Sequence, residues 1–215
     1  MADVTLKERR RLPRPPFTTS TLQQEAGRKL GFTVKKTMAV AQTLYEGLAV
    51  GKEGRVGLIT YMRTDSTRIS PQAREEAVGY ITAVYGQEFV GPGTVPKSRG
   101  RVQDAHEGIR PTGASRRPQD VAPYLTRDQL RLYTLIWERF LASQMAAVVY
   151  DSVTAKIAAG DFVLRASGSK VKFLGHTVLY EEATEDNEDE KRAELPPLAV
   201  GDKLKLKRVL PEQHF

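Results

Sequence analysis

From Gly57 to Ser70 the chain reads GLITYMRTDSTRIS, and after the apolar entry a reactive group stands at every second position: Tyr61, Arg63, Asp65. Side chains alternate across an extended strand, so these three are expected on one face. A phenol is a poor nucleophile at neutral pH because its pKa lies near 10. It becomes useful where cations stabilise the phenolate and a phosphorane-like transition state. Arg63 meets that need, because a guanidinium bridges two phosphate oxygens and keeps its charge. Thr64 and Asp65 are placed to orient that arginine or to bond a nucleic-acid backbone. Alone, a Tyr-x-Arg pair is more often a half-buried strand residue beside a surface ion pair.

A second cluster adds weight. QDAHEGIRPT, residues 103–112, carries His106, Glu107 and Arg110 before Pro111. The spacing predicts a helical turn with His106 and Arg110 on one face. Histidine beside arginine suits a phosphate clamp, in which the imidazolium donates a bond or passes a proton. A lone histidine also serves as a hydrogen-bonded structural residue.

Composition narrows the chemistry. The 215 residues suffice for one large domain or two small ones. There is no cysteine, which removes disulfides, thiolate catalysis and zinc-ribbon sites. With only His106, His176 and His214, a multi-histidine metal site is not expected. No apolar run approaches the roughly 18 residues of a membrane span, and the basic N-terminus lacks a secretory apolar segment. A cytoplasmic protein without a membrane partner is the expectation. The net charge is +7, yet residues 181–194 hold eight acids against Lys191 and Arg192, leaving +13 on the rest. Such a body suits a polyanionic partner, nucleic acid foremost, although basic residues also keep ordinary surfaces soluble.

The elements that must position these groups are legible in outline. Residues 1–17 read as a short strand followed by a proline joint at Pro13, Pro15 and Pro16. Helical patterns run from Thr18 to about Leu48, with Gly31 as a stop. Another helix starts at Ser70-Pro71. A long one spans Thr126 to Ala147, capped by Thr126 and Gln129, with Leu130, Tyr133, Ile136, Trp137, Phe140 and Leu141 as its stripe. After Tyr150 the period changes to two, with turns at Gly160-Asp161 and Gly168. LAVGDKLKLKRVL, residues 198–210, resumes the alternation. The pattern predicts an α+β multidomain chain: a mainly helical domain, 18–148, inserted into a discontinuous β-rich domain, 1–17 and 149–215.

Together these segments resemble the type IA DNA topoisomerases, in particular the central part of bacterial DNA topoisomerase I. PFTTSTLQQEA (Pro16 to Ala26), GLITYMRTDST and QDAHEGIRPT match that family's blocks in order and spacing. The likeness continues through LYTLIWERFLASQM and YDSVTAKI to PEQHF at the end. It implies that Tyr61 is the nucleophile that becomes joined to a 5′ phosphate of single-stranded DNA. A second strand then passes and the reverse attack reseals the break without ATP, relaxing negative supercoils. It implies that Arg63 contacts the scissile phosphate and that His106 assists phosphate binding or proton movement. Thr64, Asp65, Arg110 and Thr112 complete the DNA-binding set, and Glu107 supports it. The helical domain would be the tyrosine domain and the β-rich one its arch, with crossings at Pro13–Pro16 and near 147–150.

The same resemblance implies Mg²⁺ in the complete enzyme, held by an Asp-x-Asp-x-Glu motif of a Toprim domain. No such motif precedes Val4, and the cluster Asp186 to Glu190 reads as a solvated loop. An excised piece is therefore expected: no metal ligands of its own, inactive alone, its partners DNA and the remaining domains. GPGTVPKS, residues 91–98, has Pro96 where a phosphate loop needs glycine, and reads as a basic surface loop. Trp137 reads as core by its helical period and not as a base-stacking platform. Two rival readings remain. A non-catalytic single-stranded nucleic-acid-binding module leaves Tyr61, Arg63 and His106 without a task. A protein scaffold docking through the acidic run predicts indifference to polyanions.

Overall fold

The computed structural model describes residues 1–93, 106–183 and 194–210. Most of the basic loop and acidic run, together with Gln103 to Ala105 and PEQHF, lie outside the described residues. The chain is mixed α and β and divides into two compact units. One contains Met1–Arg10, Val149–Phe173 and Glu185–Phe215; the other contains Arg11–Val148 and Leu174–Thr184.

The larger unit is mainly helical. Helix α1 (Thr19–Leu30) starts where the Thr18 side chain caps the Thr21 amide and Thr21 returns the bond, and it stops at Gly31, whose φ of 68° suits glycine. Helix α2 (Val34–Glu46) is capped by Thr33, and α3 (Pro71–Val84) by Ser70 with proline in its first turn. After α2, the two-residue strands β2 (Leu48–Ala49) and β3 (Arg55–Val56) pair antiparallel. A short α4 (Pro118–Val121) leads to α5 (Arg127–Ala142), which carries the expected Thr126–Gln129 capping box.

Helix α5 is the hub. The expected stripe supplies Tyr133, Ile136, Trp137, Phe140 and Leu141, but Leu132, Leu135 and Arg139 are buried as well. A helix buried on most of its circumference has no clean polar face to read. Trp137 is core, its indole N–H donating to the Ala114 carbonyl at 3.0 Å. The helix ends at Ala142 and not at Ala147. Beyond it the backbone is captured elsewhere: the Gly91 amide bonds the Gln144 carbonyl, and the Ala146 amide the Phe89 carbonyl.

In the smaller unit, β1 (Asp3–Arg11) pairs with β4 (Val148–Ala159), and β4 with the antiparallel β5 (Phe162–Phe173). The opening strand thus joins the later hairpin, as its pattern predicts. Gly160, at φ 62°, makes the turn. Gly168 does not: it lies inside β5 opposite Val153. Residues 203–210, expected as a strand, join no strand among the described residues and are exposed throughout. Alternation supplies two faces, whereas a strand also needs a neighbour for its amides.

Candidate active site

Three segments distant in sequence are laced together by backbone. The Ile109 amide donates to the Phe17 carbonyl at 2.8 Å, the Thr60 amide to Arg110 at 2.9 Å, and the Thr112 amide to Leu58 at 3.0 Å. Antiparallel bridges join Phe17 to Ile109 and Ile59 to Pro111. The Thr60 hydroxyl donates to the Gly108 carbonyl and accepts the Arg110 amide. Thus residues 106–112 are extended and not helical, which corrects the expected His106–Arg110 face. Proline at 111 disfavours the α region for Arg110, and the flanking segments take up the amides a helix would use.

The tyrosine segment departs from its expectation in a second way. Leu58 and Ile59 are buried as a strand entry, but the chain bends at Met62 and Arg63 and no ladder continues. Alternation survives in the burial: Tyr61, Arg63 and Asp65 are exposed, Met62 and Thr64 buried. Helix α1 fixes the bend. The Thr19 hydroxyl donates to the carbonyls of Met62 and Thr64, while the Thr19 amide donates to Thr64.

An open groove of about 650 Å³ results, lined by Thr18, Thr19, Ser20, Arg63, Thr64, Asp65 and His106. Neither Arg63, Asp65 nor His106 makes a hydrogen bond or ion pair with another described residue, so their polar atoms remain available to a ligand. Tyr61 does not line this groove. Its ring, 42% exposed, stands edge-to-face with Tyr45 at a centroid distance of 5.3 Å. Arg110 is paired with Glu107 at 2.6 Å and bonds the Pro111 carbonyl. Thr112 donates to the Gly57 carbonyl and accepts from Arg116, on a different pocket. A family profile described as DNA topoisomerase matches residues 1–215.

The chain belongs to the type IA DNA topoisomerase family. It is similar to full-length topoisomerase I from Thermotoga maritima: 42% identity and a TM-score of 0.77 over 92% of this chain. The match spans 31% of the Thermotoga chain.

Burial pushes the phenols of Tyr133 and Tyr180 far above their ordinary value, and both act as donors, to the Arg116 carbonyl and to the Glu25 carboxylate. These two phenols are committed to structure. The groove itself joins the Arg63 guanidinium, the His106 imidazole, the Asp65 carboxylate and three hydroxyl residues at the start of α1; the guanidinium, imidazole and hydroxyls are suited to binding phosphate oxygens. Sequence reasoning read the hydroxyl run of Thr18, Thr19 and Ser20 as helix-cap candidates and gave it no part in the site, although its place at the start of α1 was the available signal. Among the described residues no group of three or more histidines and carboxylates is arranged to hold a metal ion. No helix among them is long and apolar enough to cross a membrane.

Proposed function

We propose that this chain carries the nucleophile of a DNA topoisomerase that breaks and reseals one DNA strand, relaxing negative supercoils. The observation that carries the reading is the lacing of three segments, which sets Arg63 and His106 on one open groove with half-exposed Tyr61 two residues away. The Tyr61 oxygen attacks the phosphorus, a Tyr61 O–P bond forms, and the bond from phosphorus to the 3′ oxygen breaks. The 5′ phosphate stays on Tyr61 while the 3′ oxygen leaves as a hydroxyl. Reversal reseals the strand, and because one phosphoester replaces another no ATP is consumed.

Arg63 neutralises the phosphate as charge builds, and His106 binds it or moves the proton. Thr64, Asp65, Arg110 and Thr112 belong to the proposed DNA surface, the last two held back by their bonds to Glu107 and Gly57. Single-stranded DNA is the proposed substrate, as the resemblance to the family implies. The helical segment 18–148 would be the tyrosine domain and 1–17 with 149–215 its arch. Mg²⁺ is proposed as a cofactor of the whole enzyme held by other domains; the described residues do not fit it, and no step above passes through it. We place the enzyme in the cytoplasm.

The test is covalent capture of a 3′-labelled single-stranded oligonucleotide by the full-length protein. Wild type should carry label through a denaturing gel and Tyr61→Phe should carry none. Undiminished capture by Tyr61→Phe would remove Tyr61 from its role. Binding without capture in both proteins would favour a non-catalytic single-stranded nucleic-acid-binding module. The isolated 215-residue chain is expected not to relax supercoiled plasmid, and relaxation by it would contradict the proposed dependence on other domains.

A further inference from the structure

We propose that Tyr45 is a positioning residue for Tyr61, its ring fixing the rotamer from which the Tyr61 phenol attacks; this rests on Tyr61 being the nucleophile. The two rings meet at 5.3 Å with their planes at 62°, an edge-to-face pair. Both are well exposed, Tyr45 at 41% and Tyr61 at 42%, so the core does not hold Tyr61 in place.

The backbone around Tyr61 is already fixed. Ahead of it, the Leu58 amide bonds the Leu44 carbonyl at 2.8 Å and the Thr60 amide bonds Arg110. After it, Thr19 ties down Met62 and Thr64. What remains free is the side chain, which in water would populate several staggered rotamers. A nucleophile must meet phosphorus in line, so each unproductive rotamer lowers the fraction of competent enzyme.

The end of α2 is built to bring Tyr45 there. A Cβ on Gly57 would stand 2.7 Å from the Tyr45 carbonyl oxygen, and one on Gly47 would stand 3.0 Å from the Val56 carbonyl carbon. Only glycine at 57 lets the two backbones approach so closely. Leu44 goes into the core and Tyr45, next on the helix, emerges beside Tyr61. The Tyr45 hydroxyl makes no hydrogen bond with a described residue, so the ring and not the phenol oxygen does the positioning. An edge-to-face pair shifts a rotamer population by about two- to tenfold.

Two readouts test this. Ring-labelled tyrosine in the 215-residue chain reports the ring-current shift of Tyr45 on Tyr61, whose signals are identified by their loss in Tyr61→Phe. Single-turnover capture by the full-length protein, at saturating oligonucleotide, reports the rate. Tyr45→Phe should match wild type in both within about twofold. Tyr45→Leu, which keeps apolar bulk, should lose the shift and slow capture by about three- to tenfold at unchanged oligonucleotide Kd. Wild-type capture by Tyr45→Leu overturns the inference. So does slowing accompanied by weaker oligonucleotide binding, which would make Tyr45 a DNA contact, or slowing that tracks a lowered Tm. Capture that survives Tyr61→Phe would instead overturn the proposed nucleophile.

Discussion

Thr19 and Thr64 are joined by a reciprocal pair of 2.9 Å bonds: the Thr64 amide donates to the Thr19 hydroxyl, and the Thr19 amide donates to the Thr64 carbonyl. This couples the first turn of α1 to the residue following Arg63. Thr19→Val keeps the shape but removes the acceptor, leaving the buried Thr64 amide without a partner. We expect a loss of about 1–3 kcal/mol of stability, visible as a lower denaturant midpoint at unchanged m. DNA capture should fall as well, because the bend that presents Arg63 loosens. Thr19→Ser restores the hydroxyl and should recover most of both.

Arg63 gives the opposite signature. It makes no contact with a described polar group, so its removal should leave stability within about 0.5 kcal/mol of wild type. Capture, in contrast, should fall by about 10²-fold or more in Arg63→Ala, since one preorganised donor to the developing charge is gone. Arg63→Lys keeps the charge without the planar fork and should lie between. Rapid-quench capture at saturating oligonucleotide distinguishes this from weakened binding. Equal rates for arginine and alanine would show that the groove does not hold the reacting phosphate.

Local rules made much of this legible. Thr18, Ser70, Thr126 and Gln129 cap helices as their types predict, because a cap is decided within four residues. The exposure of Tyr61, Arg63 and Asp65 followed from strand alternation even though the strand itself stopped. The misses are tertiary. His106 and Arg110 have helical spacing, but Phe17 and Thr60, many residues earlier, claim the amides of Ile109 and Arg110. Leu204 and Leu206 alternate with lysines, yet nothing in that segment could reveal whether a neighbouring strand would pair with it. Tyr45 reads as one more helical residue until the bend brings Tyr61 to its ring.

Arg139 also escaped the pattern, being a charge in the buried last turn of α5. Its side chain is 3% exposed, and it donates to the Pro15 carbonyl at 2.7 Å, to Glu182 at 3.0 Å and to the Tyr180 hydroxyl at 3.3 Å. The guanidinium also lies 4.8 Å from the Phe17 ring centroid. One side chain thereby gathers the segment before α1 and the segment after Leu174 onto α5. Arg139→Met fits the volume but strands the Pro15 carbonyl and leaves Glu182 paired with Arg14 alone. A loss of about 1–3 kcal/mol is expected, read as a reduced Tm of the 215-residue chain. A change below about 0.5 kcal/mol would show that water replaces these bonds without penalty.

His176 makes stability depend on pH. Burial, with the positive charges of Arg11 and Arg139 nearby, holds its imidazole below the ordinary histidine value, and its Nε2 has no hydrogen-bond partner among the described residues. The unfolded chain therefore binds a proton there more readily than the native protein does. Above the unfolded value of about 6.5 both states are neutral and nothing is lost. As the pH falls from there through the lower native value, the unfolded state gains protons first and stability declines. His176→Gln cannot take up that proton, so its denaturant midpoint should fall less than that of wild type between pH 7 and pH 5. At pH 7 the substitution should make the protein slightly less stable, since it disturbs a buried turn. Parallel pH profiles for the two proteins would assign the decline to other groups.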